Sequence, residues 1–228
     1  MPSSPRPAMT RRELRRRADA VRPAAGPADH EGMARILMVC TGNICRSPMA
    51  EALLRARLRD VPLQVLSAGT RGLVDKSMTP EAQQLALAHG AGATDVAAHR
   101  ARWLTEPVAA DADLIFAMAR EHRTVAVELA PSMLRRTFTL REFARLIESV
   151  SDEQIRKAAD AAGDAPRARL DALAALAAQQ RGVMNPVAAI DDDVIDPYRR
   201  SSETYERSAA QLVPALDAVA RALRVALV

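Results

Sequence analysis

The stretch VCTGNICRSP (Val39–Pro48) joins a short apolar run, ARILMV, to a stretch with a helical pattern, MAEALLRARL. An apolar run followed by a loop and a helix is typical of one unit of a parallel α/β sheet. The loop that leaves the carboxyl end of such a strand directs its N–H groups and the positive end of the helix dipole at one point, where anions bind. Two cysteines, a glycine and an arginine therefore lie in a predicted anion site.

The alternation of apolar runs and helical patterns continues along the chain and predicts βαβ units with a parallel sheet. Strands are predicted at Arg35–Val39, Gln64–Ala68, Leu114–Met118 and Thr137–Leu140. Helices are predicted at Ser47–Arg59, Pro80–His89, Glu121–Leu129, Arg141–Ile147 and Ser202–Leu227. Thr79 before Pro80 and Gly90 after the second helix have the residue types of a helix start and a helix stop.

Residues 1–32 depart from this pattern, because they are rich in Pro, Arg and small residues and have little apolar periodicity. They are expected to form a basic mobile arm, with one short helix around Arg11–Val21. Such an arm could bind an acidic partner or a membrane surface. Alternatively, the natural start is Met33, which directly precedes the first strand. Residues 33–228 are expected to form one domain.

Residues 150–184 also depart from the pattern, since two Ala-rich helical stretches divided by AGDAP follow each other with no strand between them. This composition predicts a helical insertion. Its leucines recur at three-residue steps and form one apolar stripe, Leu170, Leu173 and Leu176. The stripe is expected to pack on the body of the domain; binding of a partner helix is the alternative.

Composition excludes several classes of protein. The net charge is +4, but residues 1–32 contain seven arginines and four acids, so the rest of the chain is nearly neutral and only 3% of the residues are aromatic. No nucleic-acid partner is therefore expected. With two cysteines, no signal peptide and no apolar run long enough for a membrane span, the chain is predicted to be cytoplasmic. Only two of its basic side chains are lysines, which hints at a GC-rich bacterial gene.

The residue types of the loop predict a nucleophile inside the anion site. Gly42 allows the backbone to approach a ligand closely, and Arg46 offers a planar fork to two oxygens of a tetrahedral oxyanion. The same groups would stabilise a thiolate on Cys40, placing it where a phosphoryl group binds. The alternative is a cysteine that merely packs after a core strand. Neither the nucleotide-binding P-loop nor the Rossmann glycine pattern is present.

VCTGNICRSPMAE resembles the active-site loop of the low-molecular-weight protein tyrosine phosphatases, which has the form C-x5-R-S. Nearly all of residues 33–228 follow that family's order, through the strings LSAGT (Leu66–Thr70), HRARWL (His99–Leu104), DLIFAM (Asp113–Met118) and DPYRRS (Asp196–Ser201). The C-x5-R spacing alone is shared by unrelated phosphatases, whereas GNICRSP with a late DPY is specific. The resemblance implies a three-layer, flavodoxin-like α/β sandwich with a central four-stranded parallel sheet and its active site at the carboxyl ends of the strands.

By this resemblance, Cys40 attacks phosphorus and Asp196 is the general acid that protonates the leaving oxygen, then the base that activates water. Pro197 would stiffen the loop that carries Asp196. Two alternatives remain: Asp196 is a turn residue before proline, or one of the preceding acids, Asp191, Asp192 and Asp193, takes its place.

The resemblance also implies that the remaining loop residues bind or support the phosphate. They are Thr41, Gly42, Asn43, Ile44, Cys45 and Ser47. Ser47 would hydrogen-bond the Cys40 sulfur. A network of Asn43, Ser67 and His99 would hold the loop in shape, so His99 is not expected to be a general base. Tyr198 would form a wall of the cleft or simply pack there. Cys45 would pair with Cys40 under oxidation or pack in the loop.

The predicted function is hydrolysis of phosphotyrosine on proteins, with no metal or cofactor. The expected partners are proteins that carry phosphotyrosine, such as a bacterial tyrosine kinase or a capsule-export system. Leu73 stands where relatives often have an aromatic beside the site, so a weaker grip on a phenyl ring is expected. One alternative is an arsenate reductase on the same fold, which would have to use a small thiol or Cys45 because the chain has no further cysteines. The other is a module that binds phosphotyrosine without turnover. The sequence gives no indication of oligomeric state.

Overall fold

The computed structural model describes residues 33–184 and 187–228, so the predicted arm at residues 1–32 lies outside the described residues. Its centre is a four-stranded sheet in which every pair of neighbouring strands is parallel, in the order β2-β1-β3-β4. The strands are β1 (Ala34–Cys40), β2 (Leu63–Gly69), β3 (Leu114–Ala117) and β4 (Thr137–Thr139). This arrangement confirms the predicted parallel sheet and brings the carboxyl ends of β1, β2 and β3 to one edge.

Helices cover both faces of the sheet. In chain order they are α1 (Arg46–Arg57), α2 (Pro80–Ala88), α3 (Ala93–Ala98), α4 (Glu106–Ala110), α5 (Arg120–Leu129), α6 (Leu140–Glu148), α7 (Asp152–Ala162), α8 (Pro166–Gln180) and α9 (Ser202–Leu227). Short 3-10 helices lie at Pro131–Arg136 and Ala189–Asp192. Within the described residues, none of these helices has both the length and the apolar character that a membrane span requires.

The three layers follow from the side chains of β1, which are apolar on both faces, as a central parallel strand requires. Ile36 and Met38 point into a core shared with α1, α6 and α9. Leu37 and Val39 point into a second core, which α4 and α5 cover. All four side chains are at most 1% exposed, so β1 is buried on both faces. The predicted three-layer sandwich is confirmed.

The two helices predicted within residues 150–184 are present as α7 and α8. Leu170 and Leu173 are fully buried and Leu176 packs against the same core, so the predicted apolar stripe faces the body. Most element boundaries differ from the sequence prediction by one or two residues. Leu140 begins α6 instead of ending β4, β3 ends at Ala117, and α1 begins at Arg46.

Candidate active site

A cavity of about 140 Å³ opens at the carboxyl end of β1, at the edge of the sheet where a parallel fold places its ligands. We call it the Cys40 cavity. Eight of the residues predicted from the sequence line it: Cys40, Thr41, Gly42, Ile44, Cys45, Arg46, Asp196 and Tyr198. Arg71 and Leu73 complete the lining. The site therefore combines one loop at β1 with two segments that are distant in the sequence.

The loop between β1 and α1 wraps around the sulfur of Cys40. Asn43 adopts a left-handed backbone conformation with φ 58°, which asparagine tolerates better than most residues. In this conformation its backbone N–H donates to Cys40 Sγ at 3.3 Å. The hydroxyl of Ser47, in the first turn of α1, lies 3.0 Å from the same sulfur. Both groups stabilise negative charge on the sulfur, as a nucleophilic thiolate requires.

The side chain of Asn43 is fully buried behind the cavity and holds the loop to β2 and to the segment before α4. Its amide nitrogen donates to Ser47 Oγ at 3.0 Å and to Ser67 Oγ at 2.7 Å. Its amide oxygen accepts from the backbone N–H of Arg102 at 2.9 Å. Ser67 in turn donates to Glu51. A fully satisfied polar network of this kind fixes a unique loop conformation.

His99 anchors the loop at its backbone. Its Nε2 lies 2.8 Å from the Asn43 carbonyl oxygen, which can only accept, so Nε2 carries the hydrogen. Burial lowers the pKa of His99 below its ordinary value, although the hydrogen bond to Asn43 acts against it. The structure therefore brings Asn43, Ser67 and His99 together in one network, and it places His99 behind the loop rather than in the Cys40 cavity.

Arg46 extends across the floor of the cavity with its side chain only 4% exposed. One guanidinium nitrogen donates to the Val194 carbonyl oxygen at 3.0 Å, and the other lies 2.9 Å from Asp196 Oδ2 and 3.4 Å from Thr41 Oγ1. The Nε atom is buried and has no partner among the described residues. The guanidinium is thus held rigidly and still has a donor available for a ligand.

Asp196 reaches this site from the other end of the chain. Its side chain is 51% exposed, and its Oδ1 accepts from the backbone N–H of Tyr198 at 3.2 Å. The competing acids lie elsewhere: Asp192 pairs with Arg145 at 3.1 Å, and Asp193 accepts from the backbone N–H of Arg120 at 2.8 Å. Among these carboxylates in the described chain, only that of Asp196 lines the Cys40 cavity.

Cys45 is a free thiol at the start of α1, as Cys40 is at the end of β1. Its sulfur lies 3.5 Å from the hydroxyl of Tyr205 in α9 and 3.6 Å from that of Thr79 before α2. Burial raises the pKa of the Cys45 thiol above its ordinary value, although these two hydrogen bonds act in the opposite direction. Cys45 is therefore protonated at neutral pH and holds α1 against its neighbours.

Several residues that support the site were not predicted from the sequence. A Cβ atom on Gly69 would lie 2.6 Å from the Thr41 carbonyl oxygen and 3.0 Å from the Asn43 nitrogen, so only glycine fits behind the loop. His122 in α5 is fully buried with its Nε2 2.8 Å from Thr41 Oγ1. The string LSAGT includes Gly69, so the sequence contained a signal for this residue. Nothing in the local pattern around His122 indicated a contact with the loop.

The described residues contain no group of three His, Cys, Asp or Glu side chains arranged to hold a metal ion. Independently of this, the Cys40 cavity brings together a thiol, a guanidinium and a carboxylate, which are groups that can act on an oxyanion.

Comparison with known proteins points to one family. The family model described as low molecular weight phosphotyrosine protein phosphatase matches residues 35–163, which is more than half of the chain and includes Cys40 and Arg46. The low molecular weight protein-tyrosine-phosphatase Etp of Escherichia coli K12 is 40% identical over 126 residues, which are 55% of this chain and 80% of that protein.

Solved structures of similar fold cover a larger part of the chain. The tyrosine phosphatase AmsI of Erwinia amylovora aligns with a TM-score of 0.55 and 25% identity over 82% of this chain and 90% of its own. The YwlE arginine phosphatase of Geobacillus stearothermophilus aligns with a TM-score of 0.57 and 26% identity over 84% of this chain and 93% of its own. The similarity in fold therefore extends well beyond the residues that the family model matches.

Proposed function

Because the chain belongs to the low molecular weight phosphotyrosine protein phosphatase family, we propose that it hydrolyses phosphotyrosine on proteins through a cysteinyl-phosphate intermediate on Cys40. The observation that carries the mechanism is the convergence of Cys40, Arg46 and Asp196 on one cavity, with Arg46 and Asp196 2.9 Å apart. A nucleophile, an oxyanion clamp and a proton donor then surround one phosphoryl group.

In the first step, the Cys40 thiolate attacks phosphorus while the phenolic oxygen leaves. The guanidinium of Arg46 and the N–H groups of the loop bind the equatorial oxygens, where charge accumulates in the transition state. The carboxyl of Asp196 gives its proton to the phenolic oxygen.

In the second step, the carboxylate of Asp196 accepts a proton from a water molecule, whose oxygen attacks phosphorus. The bond between phosphorus and sulfur breaks, and inorganic phosphate and the Cys40 thiolate are released. Ser47 Oγ, 3.0 Å from the sulfur, stabilises the thiolate as it leaves. The sequence of steps needs no metal or cofactor, because every proton and electron pair is carried by Cys40, Asp196, the substrate and water.

The substrate ring fits between the two side chains that flank the cavity mouth, Leu73 and Tyr198, which are 40% and 38% exposed. Leucine provides apolar contact without ring stacking, so binding of the phenyl group is expected to be weak. We further propose that the partners are bacterial proteins phosphorylated on tyrosine, such as a tyrosine kinase, and that the enzyme acts in the cytoplasm. The arginine-rich composition and the bacterial relatives support bacterial partners. The need for a reduced thiol supports the cytoplasm as the location.

The test is release of phosphate from para-nitrophenyl phosphate and from a phosphotyrosine peptide by the wild type and by Cys40→Ser and Asp196→Ala. Cys40→Ser is expected to be inactive. In Asp196→Ala, the rate of phosphate release from the peptide is expected to fall by about 100-fold to 10,000-fold, the usual contribution of a general acid. The rate with para-nitrophenyl phosphate is expected to fall less, because its leaving group needs no proton. Asp191→Ala, at an exposed position outside the cavity, is the matched control.

The same assay separates the alternatives. Arsenate-dependent oxidation of thiols without phosphatase activity would indicate a reductase, and binding of the peptide without turnover would indicate a phosphotyrosine-binding module. A phosphoarginine peptide is included because one relative of known structure is an arginine phosphatase. Faster turnover of that peptide than of phosphotyrosine would overturn the proposed substrate while leaving the nucleophile in place.

A further inference from the structure

The buried histidine of α5 is connected to the Cys40 cavity by a short chain of polar contacts. His122 is 1% exposed, and its Nε2 lies 2.8 Å from Thr41 Oγ1. Thr41 Oγ1 in turn accepts from Arg46 Nη2 at 3.4 Å. Thr41 lines the cavity directly after Cys40. An imidazole, a hydroxyl and a guanidinium thus lead from α5 into the predicted phosphate site, and none of the steps described above uses the imidazole.

The protonation state of His122 follows from its surroundings. Burial, and then the positive charge of Arg46, lower the pKa of His122 to about 3, so the ring is neutral at any pH where the enzyme would work. The carboxylate of Glu121, 3.3 Å from Nε2, is 74% exposed, so water screens its opposing effect. Within the described part of the chain, Glu121 and Arg46 are the charged groups found next to the ring.

The contacts also identify the nitrogen that carries the hydrogen. A carboxylate only accepts, and the Glu121 oxygen lies on the Nε2 side, so the neutral tautomer has its hydrogen on Nε2. The buried Nδ1 is then an acceptor, with no partner among the described residues. His122 therefore donates to Thr41 Oγ1 rather than accepting from it.

The direction of this hydrogen bond determines what Thr41 can do. A hydroxyl has two lone pairs and one proton. Its lone pairs accept from His122 and from Arg46, so its proton is the one hydrogen-bonding capacity left for a group in the cavity. If His122 instead accepted, that proton would be used up and Thr41 would have nothing to give to an anion.

We propose that His122 is a positioning residue that holds the Thr41 hydroxyl as a hydrogen-bond donor to a phosphoryl oxygen bound against Arg46. The inference rests on the proposed phosphatase reaction for its role in turnover, but it also predicts binding of inorganic phosphate, which needs no turnover. The hydroxyl adds a neutral donor beside the guanidinium, in a cavity of low polarity where such a bond to an anion is strong.

The test is a double-mutant cycle on Thr41→Val, which removes the hydroxyl at nearly constant volume, and His122→Phe, which keeps a flat buried ring without the donor. We would measure kcat/KM on para-nitrophenyl phosphate and the Kd of inorganic phosphate by calorimetry. In each single variant, kcat/KM is expected to fall about tenfold and the Kd of phosphate to rise about tenfold, which is the lower range for loss of a hydrogen bond to a charged group. The double variant is expected to lose no more than either single, because both remove one donor.

His122→Gln distinguishes positioning from packing, since its amide nitrogen can reach the place of Nε2 and donate. Recovery of most of the phosphate affinity by glutamine, but not by phenylalanine of similar melting temperature, supports the inference. Additive losses in the double variant, or a Thr41→Val enzyme that binds phosphate as the wild type does, would overturn it. A third outcome is that the variants weaken phosphate binding as the double-mutant cycle predicts, while the wild type has no phosphatase activity. The proposed function would then fail and the role of His122 in binding would stand.

Discussion

At the scale of single residues, the hydroxyl of Ser47 has one proton and two potential acceptors. Because Asn43 Nδ2 donates to it at 3.0 Å, the Ser47 proton is free to point at Cys40 Sγ, 3.0 Å away. The Ala68 carbonyl oxygen is farther, at 3.5 Å. As the sulfur becomes a thiolate it is the stronger acceptor, so Ser47 is expected to matter most in the step that expels it.

Ser47→Ala is therefore expected to slow hydrolysis of the phosphocysteine by about tenfold or more, the value of a hydrogen bond to a charged group. Rapid mixing with para-nitrophenyl phosphate should show a burst of nitrophenol followed by slow turnover, with kcat and KM both lowered. Ser77→Ala, at an exposed position, is the control. A variant with unchanged kcat and no burst would show that Ser47 does not assist the departure of the sulfur.

Residues close together in the sequence could be predicted from their own residue types, whereas the distant Ser67, His99 and Asp196 were assigned through the family resemblance. Cys40, Gly42, Arg46 and the neighbouring loop residues lie within eight positions, so their chemistry could be read from one string. The contact of His122 with Thr41 spans 81 positions and depends on the packing of α5 beside β1. Sequence periodicity places His122 on a helix, but it does not define what that helix packs against.

At the scale of elements, the segment that carries Asp196 is tied to the body on several sides. The Val194 N–H donates to the Met118 carbonyl oxygen at 2.8 Å, which continues the edge of β3. The Ile195 N–H donates to Gln211 in α9, also at 2.8 Å. Asp193 accepts from the Arg120 N–H at the start of α5. These ties hold Asp196 over the cavity and satisfy a backbone donor at the first residue of α5.

Asp193→Ala is expected to lower both stability and turnover. Loss of the acceptor at the start of α5 should cost about 1 kcal/mol, as loss of a helix cap does. The looser segment should lower kcat more than it changes the Kd of phosphate, because the proposed role of Asp196 is proton transfer and not phosphate binding. Urea unfolding and steady-state kinetics measure the two effects. Asp191→Ala should change neither, and equal effects of the two variants would contradict the anchoring role.

The elements themselves were predictable where the pattern was long enough. The four strands and the longer helices follow from apolar runs and periodicity, and the family resemblance is confirmed by the matching model. The short helices α3 and α4, of six and five residues, were missed because fewer than two turns give no readable period. Leu140 was assigned to a strand because its apolar side chain fits either element, whereas the capping box formed by Thr139 and Glu142 starts α6 there.

At the scale of the whole molecule, the proposed active site forms where two cores meet. Cys40 ends a strand whose side chains alternate between the cores, Arg46 begins a helix in one of them, and α5, which carries His122, covers the other. Folding of both layers is therefore needed before the loop has all its contacts. Burial of titratable groups between the layers makes the stability of the fold depend on pH.

The imidazole of His122 determines the sign of that dependence. Its pKa falls from 6.5 to about 3 on folding, so between these values the unfolded chain binds a proton that the folded chain does not. Stability is thus highest above about pH 6.5 and falls as the pH falls toward 3. Burial lowers the pKa of His99 as well, which acts in the same direction.

Between pH 6.5 and about pH 4.5, the free energy of unfolding is expected to fall by roughly 2–3 kcal/mol more in the wild type than in His122→Gln. The reason is that each unit of pKa difference is worth about 1.4 kcal/mol. Urea unfolding at both pH values measures this difference. Glutamine does not titrate, so subtracting its curve removes the contribution of the carboxylates and of His99, which both proteins share. His89→Gln, at an exposed position, should keep the wild-type slope. Parallel curves for the wild type and His122→Gln would mean that the imidazole accepts a proton as readily in the folded protein as in the unfolded chain, and the lowered pKa of His122 would be refuted.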